Sequence, residues 1–223
     1  MDKSKKEIVW SILEGLNSYN ISDDTVFDED HVGYQVDIAR IALIKEESVA
    51  NKLGDGYYQK MCCIEVKCEA EGCDVPGLGF IKTGDITYYA DVPGLISFVN
   101  WDNIKYVGPS SWNIDDVFHR VPFNVFINNT TGIWDNGKPI YTVIEGKLLF
   151  KRLPTDGMKF ICIIGLFESP ENACDYDQEK PYPVSDPLKL EIIVIKNLLS
   201  RLGINYTDRN DASPDISQQQ GKR

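Results

Sequence analysis

The chain has 223 residues, 43% of them hydrophobic and 11% aromatic, which is material for one generous domain or a domain with a sizeable insertion. Lys and Arg number 23 against 34 Asp and Glu, a formal charge of −11, so the clustered cations that grip a phosphate backbone by releasing its counterions are missing. No apolar run approaches the roughly 18 residues of a membrane helix, and the start "MDKSKKEIVW" lacks the apolar stretch of a secretory signal.

In "SKKEIVWSILEGLNSYN" (4–20), Ile8, Ile12 and Leu16 recur on one helical face, with Val9 and Leu13 beside it. Residues 21–54 predict a second, longer helix. Asp28, Glu29 and Asp30 suit its positive end, and Gly54 suits its stop. Val32, Val36, Ala39 and Leu43 form one stripe, while Ile38, Ile41 and Ala42 widen it, so this helix packs against more than one neighbour. Residues 57–166 read as β, with strands expected at 60–70, 79–83, 86–90, 103–107, 123–128, 139–144, 147–152 and 159–165. A hairpin is expected around Glu145-Gly146.

In "SDPLKLEIIVIKNLLSRLG" (185–203), Asp186 serves as N-cap, Pro187 takes the first turn and Gly203 closes the helix. Leu188, Ile192, Ile195, Leu199 and Leu202 are its expected buried stripe. The order predicts an α+β fold in which a helical hairpin (1–56) and a C-terminal helix form a small bundle around a large antiparallel β-rich insertion (57–166). A junction turn leads into that last helix (167–203), and an extended tail (204–223) is too polar for a core of its own.

The six cysteines are Cys62, Cys63, Cys68, Cys73, Cys162 and Cys174, and without a secretory signal all are expected as thiols. The spacing of Cys63, Cys68 and Cys73 tempts a zinc reading. Strand alternation, however, sets Cys62, Ile64, Val66 and Cys68 on one face and Cys63 with Glu65 and Lys67 on the other. Structural zinc also favours tighter pairs, so no metal is expected. His31 and His119 sit in no catalytic motif, and no glycine-rich phosphate loop is present. The chain is therefore expected to be no enzyme and to need no cofactor.

Arg40, inside "VDIARIALI", resists a bland reading, because an unpaired guanidinium is costly in an apolar interior. Either it snorkels to solvent, or it pairs with the acidic turn "GLFESPEN" (165–172), where Glu168 is the candidate.

Four segments in order carry a resemblance: "SDDTVFDEDHVGYQVDIARIALIKEE" (22–47), "YADVPGLISFVNWDNIKYVG" (89–108), "GLFESPENA" (165–173), and the C-terminal helix from "YPVSDPLKLEIIVIKNLLSRL" to "NDASPDIS" (182–217). Together they resemble the neck proteins of crAss-like bacteriophages. The resemblance implies a structural virion protein: a homo-oligomeric, twelvefold ring beneath the portal that joins head to tail and lines the channel for genome passage. Its partners would be itself, the portal protein, other neck or tail proteins, and passing double-stranded DNA that it does not bind specifically, with no membrane. The "GLFESPEN" turn would then be a junction between the β part and the helices, with Phe167 as anchor and Pro170 fixing the exit. In the tail, Tyr206 and Ile216 would anchor on a neighbouring subunit. A rival reading is a soluble β-rich module for a sugar or peptide, with Trp101, Trp112 and Trp134 as its platform.

Overall fold

Helix α1 (Lys5–Asn17) starts at a capping box. The Glu7 amide donates to the Ser4 hydroxyl at 3.3 Å, and the Ser4 amide donates to the Glu7 carboxylate at 2.7 Å. In the computed structural model, which describes residues 2–17, 27–68, 88–97, 103–110, 116–128, 137–153, 158–173, 176–204 and 206, α1 buries Ile8, Val9, Ile12 and Leu16. Helix α2 (Glu29–Val49) is capped by Asp28, which accepts from the His31 amide at 2.6 Å. It ends before the expected Gly54. Asn51 takes the left-handed conformation with φ 52°, and the amides of Asn51 and Lys52 bond the carbonyls of Ser48 and Glu47 at 3.1 and 2.8 Å. Asparagine is the commonest substitute for glycine in this closure.

Eight strands follow among the described residues: β1 (Gln59–Glu65), β2 (Lys67–Cys68), β3 (Tyr88–Asp91), β4 (Ile104–Pro109), β5 (His119–Arg120), β6 (Ile140–Ile144), β7 (Lys147–Lys151) and β8 (Phe160–Gly165). They form a three-stranded sheet, β1-β8-β4, and a five-stranded sheet, β2-β3-β7-β6-β5. Pairing is antiparallel throughout except between β5 and β6, which run parallel. The β6–β7 hairpin turns at Glu145-Gly146 as expected, with φ of 46° and 75°, the primed turn that suits strand twist.

Three local expectations are corrected. Residues 123–128, "FNVFIN", form helix α3 (Phe123–Asn128) instead of a strand. Their aromatic and β-branched side chains favour a strand, but Pro122 presets the first turn, accepting from the Phe126 amide at 2.8 Å. The buried Lys151 ammonium then donates to the Ile127 carbonyl at the negative end of α3, 3.3 Å away. In β1 the alternation breaks. Met61 pairs with Ile163 and Ile64 with Ile161, so Cys62 and Cys63 together face Cys162 across a bulge. That juxtaposition joins Cys62 and Cys162 as a disulfide, Cα–Cα 3.9 Å, where thiols were expected. The expected strand at 79–83 lies outside the described residues.

Helix α4 (Pro187–Arg201) carries its predicted caps. Asp186 accepts from the Lys189 amide at 3.1 Å, and Gly203 at φ 70° closes the last turn as the Ile204 amide returns to the Leu199 carbonyl at 3.0 Å. Its rotation differs from the expectation. Leu190, Glu191, Val194, Leu198 and Leu199 are buried, whereas Leu188 is 61% exposed. The helix is apolar on most of its circumference, so periodicity alone does not fix the inward face. Glu191 contributes to fixing it, taking Lys3 Nζ at 2.6 Å and the Ser11 hydroxyl at 3.0 Å from the first helical region.

Helices α1, α2 and α4 pack on one another around Ile12, Val36, Leu43 and Val194. A second core, with Met61, Val107, Phe150, Ile163 and Phe167, lies within the sheets. Phe126 of α3 meets Ile140 and Leu149 in a smaller cluster. The fold is α+β. Among the described residues, no helix is long and apolar enough to cross a membrane.

Candidate functional site

The two main cores meet at Arg40. Its α2 position points between apolar neighbours, and the side chain is fully buried. Nε donates to the Pro183 carbonyl at 2.7 Å, Nη1 to the Phe167 carbonyl at 2.8 Å and Nη2 to the Tyr57 carbonyl at 3.2 Å. The planar fork thus takes three carbonyl oxygens from three separate segments, a geometry that a lysine ammonium does not reproduce. Burial lowers the guanidinium pKa, and the nearby Tyr182, Asp37 and Tyr57 oppose that shift. Arginine still keeps its charge here, as it does throughout proteins.

A carboxylate does enter the site, at one remove. The Tyr182 ring lies 5.8 Å from the Arg40 guanidinium, and its hydroxyl donates to Asp37 at 2.5 Å. Asp37 also receives Lys5 Nζ at 3.0 Å, and the same ammonium reaches Glu171 at 2.5 Å. Burial disfavours the Lys5 ammonium, yet its hydrogen bonds to Glu171 and Asp37 prevail and its pKa rises. Burial, then the charge of Asp37, push the Tyr182 phenol well above its ordinary range. The chain of contacts therefore runs Arg40, Tyr182, Asp37, Lys5, Glu171, and it links α1, α2 and the segment leading into α4 to the turn that ends the sheets.

Within that turn, Phe167 is fully buried in the sheet core and pairs with Leu95 as an isolated bridge. Pro170 is buried at the start of a short 3-10 turn, Pro170–Asn172, and its carbonyl accepts from the Gln59 side chain at 3.4 Å. Glu168 is exposed and its amide donates to the Gly94 carbonyl at 2.8 Å. The structure therefore brings Arg40 to the backbone of Phe167 rather than to the Glu168 carboxylate. The acid of this turn that reaches the helices is Glu171. Tyr206 lies back on its own helix α4, with Lys196 Nζ 5.0 Å from its ring centre. Ile216, Trp101, Trp112 and Trp134 lie outside the described residues, as do Cys73 and Cys174. His31 is exposed and stacks on Phe27 with ring centres 5.9 Å apart. Among the described residues, no group of three His, Cys, Asp or Glu is placed to hold a metal.

The family model of phage tail ring protein 2, from crAss-like phages, matches residues 7–218, which span the helices, both sheets and this junction. The chain belongs to that family. Comparison with curated proteins gives no match. In this crAss-like phage ring protein, the groups gathered at Arg40 bond backbone carbonyls and one another, so the arrangement joins the sheets to the helices. Lys5, Asp37, Glu171 and Tyr182 complete the joint in this ring protein and were not singled out from sequence. Lys5 and Asp37 had a faint signal as polar residues beside buried helical stripes. Glu171 had the signal of its acidic turn, where Glu168 was the candidate instead, and Tyr182 had none.

Proposed function

We propose that the chain is a structural, non-enzymatic component of the virion that assembles with copies of itself into a twelvefold ring in the phage neck, beneath the portal, where it joins head to tail and lines the channel for the genome. The family match over residues 7–218 carries this reading. The charge of −11 supports the channel role, since an acidic wall repels phosphates and lets DNA slide. In the same reading, Phe167, Pro170 and Arg40 hold the sheets rigidly on the helices, and the tail beyond Tyr206, with Ile216 as anchor, lies across a neighbouring subunit, offsetting its ordering entropy by contacts made only in the assembly.

The test is to mix the purified chain with purified portal and image the product by electron microscopy, with a DNA-retardation assay alongside. Closed rings stacked coaxially on the portal, and no retardation of duplex DNA even at low salt, are expected. Rings that form but ignore the portal would remove the neck placement. Tight DNA retardation would remove the sliding channel.

A further inference from the structure

The strands that Arg40 fastens to the helices carry a second tie. Cys62 on β1 and Cys162 on β8 form the disulfide, and it crosses the strand pair at the bulge. On the inner side of that bulge Gln59 pairs with Gly165, Lys60 with Ile164 and Met61 with Ile163. The carbonyls of Tyr57 and Phe167, both bonded to Arg40, close this inner end. On the outer side Ile64 pairs with Ile161 and Glu65 with Phe160, and the Val66 amide donates to the Lys159 carbonyl at 2.9 Å. The outer stretch is also the way into the five-stranded sheet, because β2 follows at once and pairs with β3.

The ladder is weakest where the disulfide crosses it. Cys62 and Cys63 together stand opposite the one residue Cys162, and a bulge of this kind interrupts the regular backbone bonds. The S–S bond holds the strands at that point. Ile64 and Ile161 belong to the sheet core, so losing the bond loosens the outer stretch without unfolding the domain.

Access to the bond is one-sided. Cys162 is fully buried on a strand flanked by β1 and β4, whereas Cys62 is only half-buried. A small thiol therefore meets the Cys62 sulfur first. Its thiolate attacks that sulfur, the S–S bond breaks, and Cys162 leaves as a thiolate that takes a proton from water. A second small thiol then attacks the outer sulfur of the mixed disulfide, releasing Cys62 and the oxidised small disulfide. Two thiols supply the two electrons, so the exchange balances.

We infer that the Cys62–Cys162 bond is a redox-operated lock on the outer half of β1. It is opened by small thiols of the glutathione class, while the Arg40 joint keeps the inner half and the helices in place. A virion protein, in the reading proposed above, is made in a cell that keeps thiols reduced and acts outside it, so the lock shuts after release. The lock itself depends only on the two strands, and its test needs no ring.

That test is amide hydrogen exchange on the full-length chain, read peptide by peptide, before and after treatment with reduced glutathione. Reduction is expected to speed exchange across 62–66 and 159–162 at least about tenfold more than across α1, α2 and α4. Cys162→Ala, which leaves neither Cys62 nor its neighbour Cys63 a sulfur opposite, should show the fast pattern with or without glutathione. Equal acceleration in strands and helices would mean that the bond acts on global stability alone, and overturns the lock. Unchanged exchange in wild type, with reduction verified by alkylation, overturns it too, and this comparison stands even where the alanine variant does not fold. None of these outcomes bears on ring formation, which the portal-mixing experiment decides.

Discussion

The guanidinium of Arg40 and the carbonyl of Phe167 meet at 2.8 Å, with both residues fully buried. Phe167 thereby faces two ways. Its ring packs in the sheet core while its backbone is held by the longest helix, so the "GLFESPEN" turn is where the β part is fastened to the bundle.

Replacing Arg40 by alanine strips the carbonyls of Phe167, Pro183 and Tyr57 of their donor. Each buried orphan costs about 1–3 kcal/mol, and breaking a buried charged network costs about 3–5 kcal/mol overall. Denaturant unfolding of Arg40→Ala should show a loss in that range. Arg40→Lys should recover less than half of it, because one ammonium does not span the three acceptors. A loss under about half a kilocalorie for alanine would show the joint to be idle.

The buried phenols predict alkaline lability. Tyr57, Tyr141 and Tyr182 are each at most 4% exposed, and burial raises all three above the ordinary value, Tyr141 to about 12. A raised folded pKa means that the fold holds the protonated phenol. The stability gained is whole below the unfolded value of about 10 and is lost as pH rises through the folded values. Phenolate absorbance should therefore lag below that of model tyrosine and then rise together with cooperative unfolding. Smooth titration of all tyrosines near pH 10, with no unfolding, would contradict the burial.

Cys62 and Cys162 are separated by 100 residues, and closing so long a loop restricts the unfolded chain strongly, by about 2–4 kcal/mol in typical cases. Alkylation under denaturing, non-reducing conditions should leave these two cysteines unlabelled, and reductant should lower the melting temperature. Complete labelling of both would return them to the thiol state expected from sequence.

The hairpin turn offers a stabilising change. Glu145 occupies a left-handed position at φ 46° that asparagine tolerates better. Glu145→Asn is expected to raise stability by about 0.5–1 kcal/mol, and Gly146→Ala to lower it by about as much. A loss with Glu145→Asn together with a gain for Gly146→Ala in chemical denaturation would remove the primed-turn assignment.

How much of this was legible depended on whether the signal was local. The caps at Asp28, Asp186 and Gly203 are short-range chemistry and could be read directly, and the Ser4–Glu7 capping box had the same legibility although it was passed over. Arg40 could be recognised as a conflict between charge and setting. Its ligands could not be named, because backbone carbonyls carry no side-chain signature and the three arrive from distant parts of the chain. The rotation of α4 was hidden by its apolar circumference and needed Glu191's partners to define it. The "FNVFIN" helix shows tertiary context overriding propensity, since Lys151, far along the chain, stabilises its end.

Any truncation of the tail has to spare Ile204 and Tyr206. Ile204 and Tyr206 pack against the chain's own helices, so removing everything after Gly203 would damage the fold as well as any contact beyond it. Truncation after Thr207 should leave the melting transition unchanged and impair assembly. Normal assembly would show that the removed residues, Ile216 included, play no part in holding the ring.

Two of the carbonyls on Arg40 belong to Tyr57 and Phe167, residues that stand just before β1 and just after β8. The β-rich part is thus a detour that leaves and returns at the same side chain. Its outer loops can lengthen, shorten or exchange sequence while both feet, and Ile96 in the helical core, stay planted. Length and sequence can thus vary in the one part without disturbing the packing of the other.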